Sequence, residues 1–249
     1  MMIIMYKCLE FRKWNAEAWN QDVSATGEPC RFAAAEPSST DDVPLTGDCS
    51  VSKPVDFYFD YVSPYAYLAN TQLPKSGLDV TYKPISILDV MKTVGNQPSP
   101  KCPAKLKHSM ADTARWAKRY DVPLQLNAEV WSGMEGGTFD LRDIARAALA
   151  AQKLGHFPVF HAAMFDAFWA HPKDVVNRRG LEAVLDAAGI PGKEILALAS
   201  QPDMEAALEA SNAEAVRAGV FGVPFFTVGG EVFFGGDRLD FVRESAGAK

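Results

Sequence analysis

Apolar and polar positions alternate from Val55 onward: Val55, Phe57 and Phe59 interleave with Asp56, Tyr58 and Asp60 until Ser63-Pro64 stops the run. A period of two marks a β-strand. Serine followed by proline marks a helix start, because proline in the first turn gives up an N–H that has no intrahelical partner there. The pattern predicts a helix over residues 64–73 and a second strand over 80–85. Strand, helix and strand within roughly thirty residues form a βαβ unit, with parallel strands and a right-handed crossover.

The period changes over residues 87–219. Alanine-rich segments with apolar positions three and four apart predict helices over 104–120, 141–154, 159–169, 179–188, 193–199 and 204–218. In the last of these, Met204, Leu208, Ala215 and Val216 share a face. Strand pattern returns at 225–228 and 232–234, joined by Gly229-Gly230 as a tight hairpin. A closing helix begins near Asp237. The order is β-α-β, a large all-helical insert, then β-β-α. The fold class expected is α/β, with thioredoxin-like halves at 54–86 and 220–249 around a helical insert domain at 87–219. Residues 1–53 hold no sustained period and carry clusters such as Glu36-Pro37-Ser38-Ser39-Thr40-Asp41-Asp42, the composition of a disordered extension.

The 249 residues are 48% hydrophobic and 22% charged, the profile of a globular chain. No apolar run approaches the ~20 residues of a membrane span. A net charge of −6 without a basic cluster argues against nucleic acid as a partner. Cys8, Cys30, Cys49 and Cys102 are scattered, with no CxxC and no metal-ligand spacing. That usage, with an apolar start too short for a signal-peptide core, leads to a cytoplasmic expectation. His108, His156, His161 and His171 share no ligand spacing, so no metal site is expected, and Cys102 is assigned no role.

In this arrangement the reactive position lies where the first strand gives way to its helix, here Ser63-Pro64-Tyr65-Ala66. A dithiol enzyme carries CxxC at that point, so this chain cannot run that redox cycle. Ser63 suits two roles, a helix cap or a donor to a thiolate brought by a ligand. The Val223-Pro224 step just before a strand is where this fold holds a cis-proline beside the reactive position. Such a step leaves the Val223 backbone free to pair with an extended peptide. Trp116, Trp131, Phe139 and Trp169 sit at helical spacing and are assigned to the core.

Several stretches then carry a family resemblance: residues 56–69 (Asp56-Phe57-Tyr58-Phe59-Asp60-Tyr61-Val62-Ser63-Pro64-Tyr65-Ala66-Tyr67-Leu68-Ala69), Gly95-Asn96-Gln97, Gly219-Val220-Phe221-Gly222-Val223-Pro224 and residues 234–242 around Gly235-Gly236-Asp237-Arg238. Residues 54–244 resemble the 2-hydroxychromene-2-carboxylate isomerases, relatives of the kappa-class glutathione transferases. The resemblance implies glutathione as cofactor, with Ser63 hydrogen-bonding its sulfur. Val223 and Pro224 would pair with its cysteinyl backbone, and Gly236 and Asp237 would hold its γ-glutamyl end. Asn96 and Lys105 fall at the family's spacing, near the glycyl carboxylate or the acidic aromatic substrate, with Lys107 close enough to substitute for Lys105. The implied reaction is thiolate addition, ring opening, bond rotation and elimination, and a homodimer is implied as well. A kappa-like transferase or peroxidase, and a peptide-binding module without chemistry, stand as alternatives. One departure bears on the substrate: Met134-Glu135-Gly136-Gly137-Thr138-Phe139-Asp140 replaces the proline-asparagine stretch that leads into the central helix of the isomerases.

Overall fold

The structure, a computed structural model, describes residues 52–248. The predicted extension over residues 1–53 therefore lies, but for its last two residues, outside the described residues, as do Cys8, Cys30 and Cys49. The described residues form one compact unit.

Four strands make one mixed sheet in the order β2-β1-β3-β4. β1 (Val55–Phe59) pairs in parallel with β2 (Val80–Pro84), with Val55 opposite Val80 and Phe59 opposite Pro84. On its other side β1 runs antiparallel to β3 (Phe225–Val228), which pairs antiparallel with the edge strand β4 (Glu231–Phe234). Gly229 and Gly230, at φ +56° and +94°, make the hairpin turn that closes β3 onto β4.

Both faces of the sheet are covered, which the alternation in β1 conceals. Val55, Phe57 and Phe59 point into the main core, where Phe57 stacks on Phe226 at 5.0 Å and Phe59 meets Tyr61 edge-on at 5.3 Å. Tyr58 points the other way and is equally buried, against Ile85, Ile87, Val90, Val220 and Phe225. Each such aromatic removed from water contributes roughly 1.5–3 kcal/mol.

The first helix is α1 (Pro64–Asn70), shorter than expected, followed by a 3-10 turn at Leu73–Lys75. After β2 come α2 (Ile87–Thr93), α3 (Pro103–Tyr120), α4 (Ala128–Gly136), α5 (Leu141–Lys153), α6 (Phe157–Phe165), α7 (Arg178–Ala187), α8 (Gly192–Ala199) and α9 (Pro202–Arg217). Helix α10 (Leu239–Ala246) closes the chain after a 3-10 turn at Gly236–Arg238. The periodicity anticipates α3 and α5 to α10 but neither α2 nor α4. Helix α4 takes in Met134–Gly136 and is held by its Asn127 cap, whose side chain accepts the Val130 N–H at 3.3 Å. Helix α6 runs directly into a π-turn at Asp166–Ala170. Phe160, Met164, Phe165, Phe168 and Trp169 from this segment share one core with β1. The insert and the sheet are therefore packed as one body.

Candidate active site

Ser63 caps α1. Its backbone is extended (φ −91°, ψ 114°), and its Oγ accepts the Ala66 N–H at 3.2 Å. The same oxygen also donates to the Val223 carbonyl at 3.4 Å, a contact spanning 160 positions in sequence. The cap and the long-range contact are thus made by one hydroxyl. The Val223–Pro224 bond is cis, as the fold expectation has it. Val223 is buried, and among the described residues no backbone–backbone hydrogen bond reaches it. Its N–H and C=O are therefore available to a ligand once the serine contact is exchanged.

Pro224 connects this corner to the next. Its carbonyl accepts the Gly235 N–H at 3.0 Å, which brings the Gly235-Gly236-Asp237 turn alongside. Gly235 sits at φ +103°, a backbone conformation that side-chain-bearing residues rarely adopt, so the turn needs glycine there. Gly236 packs on α1, where a β-carbon would lie 3.1 Å from the Ala69 Cβ. Ser63, Val223 and Pro224 thus meet at the start of α1, and the adjoining Gly236-Asp237 turn lies along the same helix, against Ala69 in its last turn. Asn96 joins them through Phe221: its Nδ2 donates to the Phe221 carbonyl at 2.7 Å.

Lys105 is exposed in the first turns of α3, and among the described residues no hydrogen bond or ion pair ties it to that corner. It lies four and seven positions before Ser109 and Asp112, on the stripe of α3 that meets α1. Tyr65 donates from its hydroxyl to Asp112 Oδ2 at 3.1 Å. Burial first, then the charges of Asp112 and Asp237, push the Tyr65 phenol up to about 12. Lys107 projects from a different side of the helix, so the stripe favours Lys105. Cys102, half-buried at the N-terminal end of α3, makes no side-chain cap bond.

Behind Ser63 lies a buried polar layer that the sequence pattern does not reveal. Asp60 is only 5% exposed. Its two oxygens accept the N–H of Val62 at 3.1 Å and of Ile87 at 2.9 Å, and loss of hydration pushes its carboxyl up to about 6 against those two favourable bonds. Tyr61 is gripped twice: its carbonyl accepts the Trp169 indole N–H at 2.7 Å, and its hydroxyl lies 2.9 Å from His161 Nδ1. His161 Nε2 lies 2.9 Å from Asn70 Oδ1, an oxygen that can only accept. That fixes the neutral tautomer with its proton on Nε2, leaving Nδ1 to accept from Tyr61. Burial holds His161 uncharged by pushing it down to about 3. Trp169 and Phe139 are buried, while Trp116 and Trp131 pack half-buried against the same core. Among the described residues no cluster of His, Cys, Asp and Glu is arranged to hold a metal ion.

Comparison with known proteins decides the family. Residues 54–246 match the model of the DSBA-like thioredoxin domain. A 2-hydroxychromene-2-carboxylate isomerase of Sphingobium xenophagum is 31% identical over 199 residues, covering 78% of this chain and 97% of that protein. The chain belongs to the 2-hydroxychromene-2-carboxylate isomerase family of DSBA-like thioredoxin domains. A solved structure of a 2-hydroxychromene-2-carboxylate isomerase superposes with a TM-score of 0.67 at 25% identity, over 78% of this chain and 94% of that one. Glutathione S-transferase kappa 1 of Caenorhabditis elegans is 26% identical over 204 residues, covering 76% of this chain and 89% of that protein. Among the described residues no helix is long and apolar enough to cross a membrane.

Proposed function

We propose that this protein is a glutathione-dependent isomerase acting on 2-hydroxychromene-2-carboxylate or a similar intermediate of aromatic-compound breakdown. The observation that carries the reading is the contact of Ser63 Oγ with the Val223 carbonyl at 3.4 Å, at a helix start whose sequence, Ser63-Pro64-Tyr65-Ala66, holds no cysteine. A backbone N–H and C=O outside the sheet ladder accept an extended peptide as an added strand, and glutathione is such a peptide. Val223 and Pro224 would take its cysteinyl backbone. Gly236 and Asp237 would hold the γ-glutamyl ammonium and carboxylate, and Lys105 the glycyl or substrate carboxylate. When bound, glutathione supplies a thiolate whose reversible addition to the conjugated ring permits ring opening and rotation about a former double bond.

The chain's own contribution follows from the hydroxyl of Ser63. Its proton now points at the Val223 carbonyl. Once that carbonyl accepts a peptide N–H instead, the Ser63 O–H is released to face the sulfur beside it. A donor held there stabilises thiolate over thiol and draws the thiol below the ~8.5 of a free cysteine. Asp60 and Trp169 keep the serine loop from following the ligand.

Ser63→Ala tests the assignment. Isomerase turnover should fall by about 10²-fold, the scale of losing one donor to an anion, while the calorimetric Kd for glutathione changes far less. Equal losses in both would remove Ser63 from the chemistry. The kappa-transferase relative supports a second reading, in which the same thiolate leaves as a conjugate. Stoichiometric consumption of glutathione would select it.

A further inference from the structure

Helix α2 touches both halves of the candidate site, one at each end. At its start, the Ile87 N–H and the Val62 N–H share the Asp60 carboxylate, which ties α2 to the loop carrying Ser63. Midway, Asp89 pairs with Arg142 of α5. Beyond its end the chain turns through Gly95 (φ +73°), and the Asn96 N–H donates back to the Met91 carbonyl at 2.8 Å. The Asn96 side chain is then engaged at both ends. Its Oδ1 accepts the Gln97 N–H at 2.8 Å, and its Nδ2 donates to the Phe221 carbonyl at 2.7 Å, two residues before Val223.

The segment so gripped has a buried side, where Val220 and Val223 pack with Phe225, and an exposed one. Phe221 is 43% exposed and leans on Phe234 at 4.7 Å, itself 46% exposed, with the Phe234 ring lying over Gly222. We propose that Asn96 is a positioning residue: from the end of α2 it sets the Phe221–Val223 backbone against Ser63, while Asp60 holds the serine loop at the start of the same helix. One seven-residue helix thereby fixes the spacing between the two groups of the site. Asn96 would then act on a bound peptide through Val223, a role apart from the carboxylate contact that the family spacing suggests. The ligand half of this inference rests on the glutathione reading above; the geometric half does not.

Two measurements on the full chain separate these halves. The first is amide hydrogen exchange of the free protein carrying Asn96→Ala or Asn96→Asp, the latter keeping an acceptor for Gln97 but losing the donor to Phe221. Exchange over residues 220–225 should quicken about tenfold in both, the equivalent of one hydrogen bond, while β1 is unchanged. Unchanged exchange over 220–225 would overturn the clamp. The second is calorimetric binding of glutathione and of its glycyl ethyl ester. Asn96→Ala should weaken both by the same factor, about tenfold, and raise the pKa of the bound thiol, read from thiolate absorbance. Weakened glutathione binding with unaltered ester binding would overturn the proposal in favour of direct contact with the glycyl carboxylate. If the unaltered protein binds neither ligand, the glutathione reading falls, and the exchange result still decides the clamp.

Discussion

Asp60 and His161 stand close to the same loop and respond to acid in opposite senses. Asp60 has its carboxyl pushed up to about 6 from the ordinary 3.8, chiefly by desolvation and also by the nearby Asp89 charge. Between those two values the native state keeps a proton that the unfolded chain has lost, so this group's contribution to stability falls as pH rises from about 4 to about 6. At about 1.4 kcal/mol per pKa unit, the full window is about 3 kcal/mol. His161 is pushed down to about 3 from 6.5 by burial, so the unfolded chain binds its proton first. Its contribution is complete above the unfolded value and is lost as pH falls toward 3, by about 5 kcal/mol. The histidine wins, and acid destabilises the protein, with Asp60 softening the loss. Asp60→Asn removes the softening. Denaturant titrations at pH 7 and pH 4 should show wild type gaining about 2 kcal/mol relative to the variant on acidification. A gap that closes instead would mean the two N–H donors outweigh desolvation and hold the carboxyl low.

The elements differ in how much of them the local pattern discloses. β1, β3 and the start of α1 are announced by alternation and by Ser63-Pro64, because their signals are local turn and cap chemistry. Helix α4 holds Gly133 and Gly136, and α2 has only seven residues, so neither sustains a period long enough to be read. The site divides the same way. Ser63, Val223, Gly236 and Asp237 sit in motifs with fixed local form, whereas Asp60 reads as the outward member of an alternating strand and is buried only because α2 covers that side. Trp169 could be read as a core residue, yet its indole N–H reaching the Tyr61 carbonyl depends on the π-turn that ends α6. Trp169→Phe tests this tie between insert and site. Leaving the buried carbonyl without its donor should cost about 1–3 kcal/mol in urea unfolding and lower isomerase turnover as well. A variant as stable and as active as wild type would show the insert does not brace the serine loop.

At the scale of the whole molecule, the insert and the sheet share one core, and the polar groups behind Ser63 come from both. The thioredoxin-like part contributes the Ser63 cap and the Val223 backbone to which the proposal assigns the peptide, and the helices contribute the bracing and the stripe of α3 that carries Lys105. The proposed function requires that this assembly bind glutathione and use it without consuming it. The direct test is a calorimetric titration of the full chain with glutathione, followed in the same sample by absorbance of 2-hydroxychromene-2-carboxylate with glutathione held below the substrate concentration. Saturable binding and conversion of many substrate equivalents per glutathione are expected. Absence of binding, or conversion that stops once the glutathione is used, would contradict the proposed function.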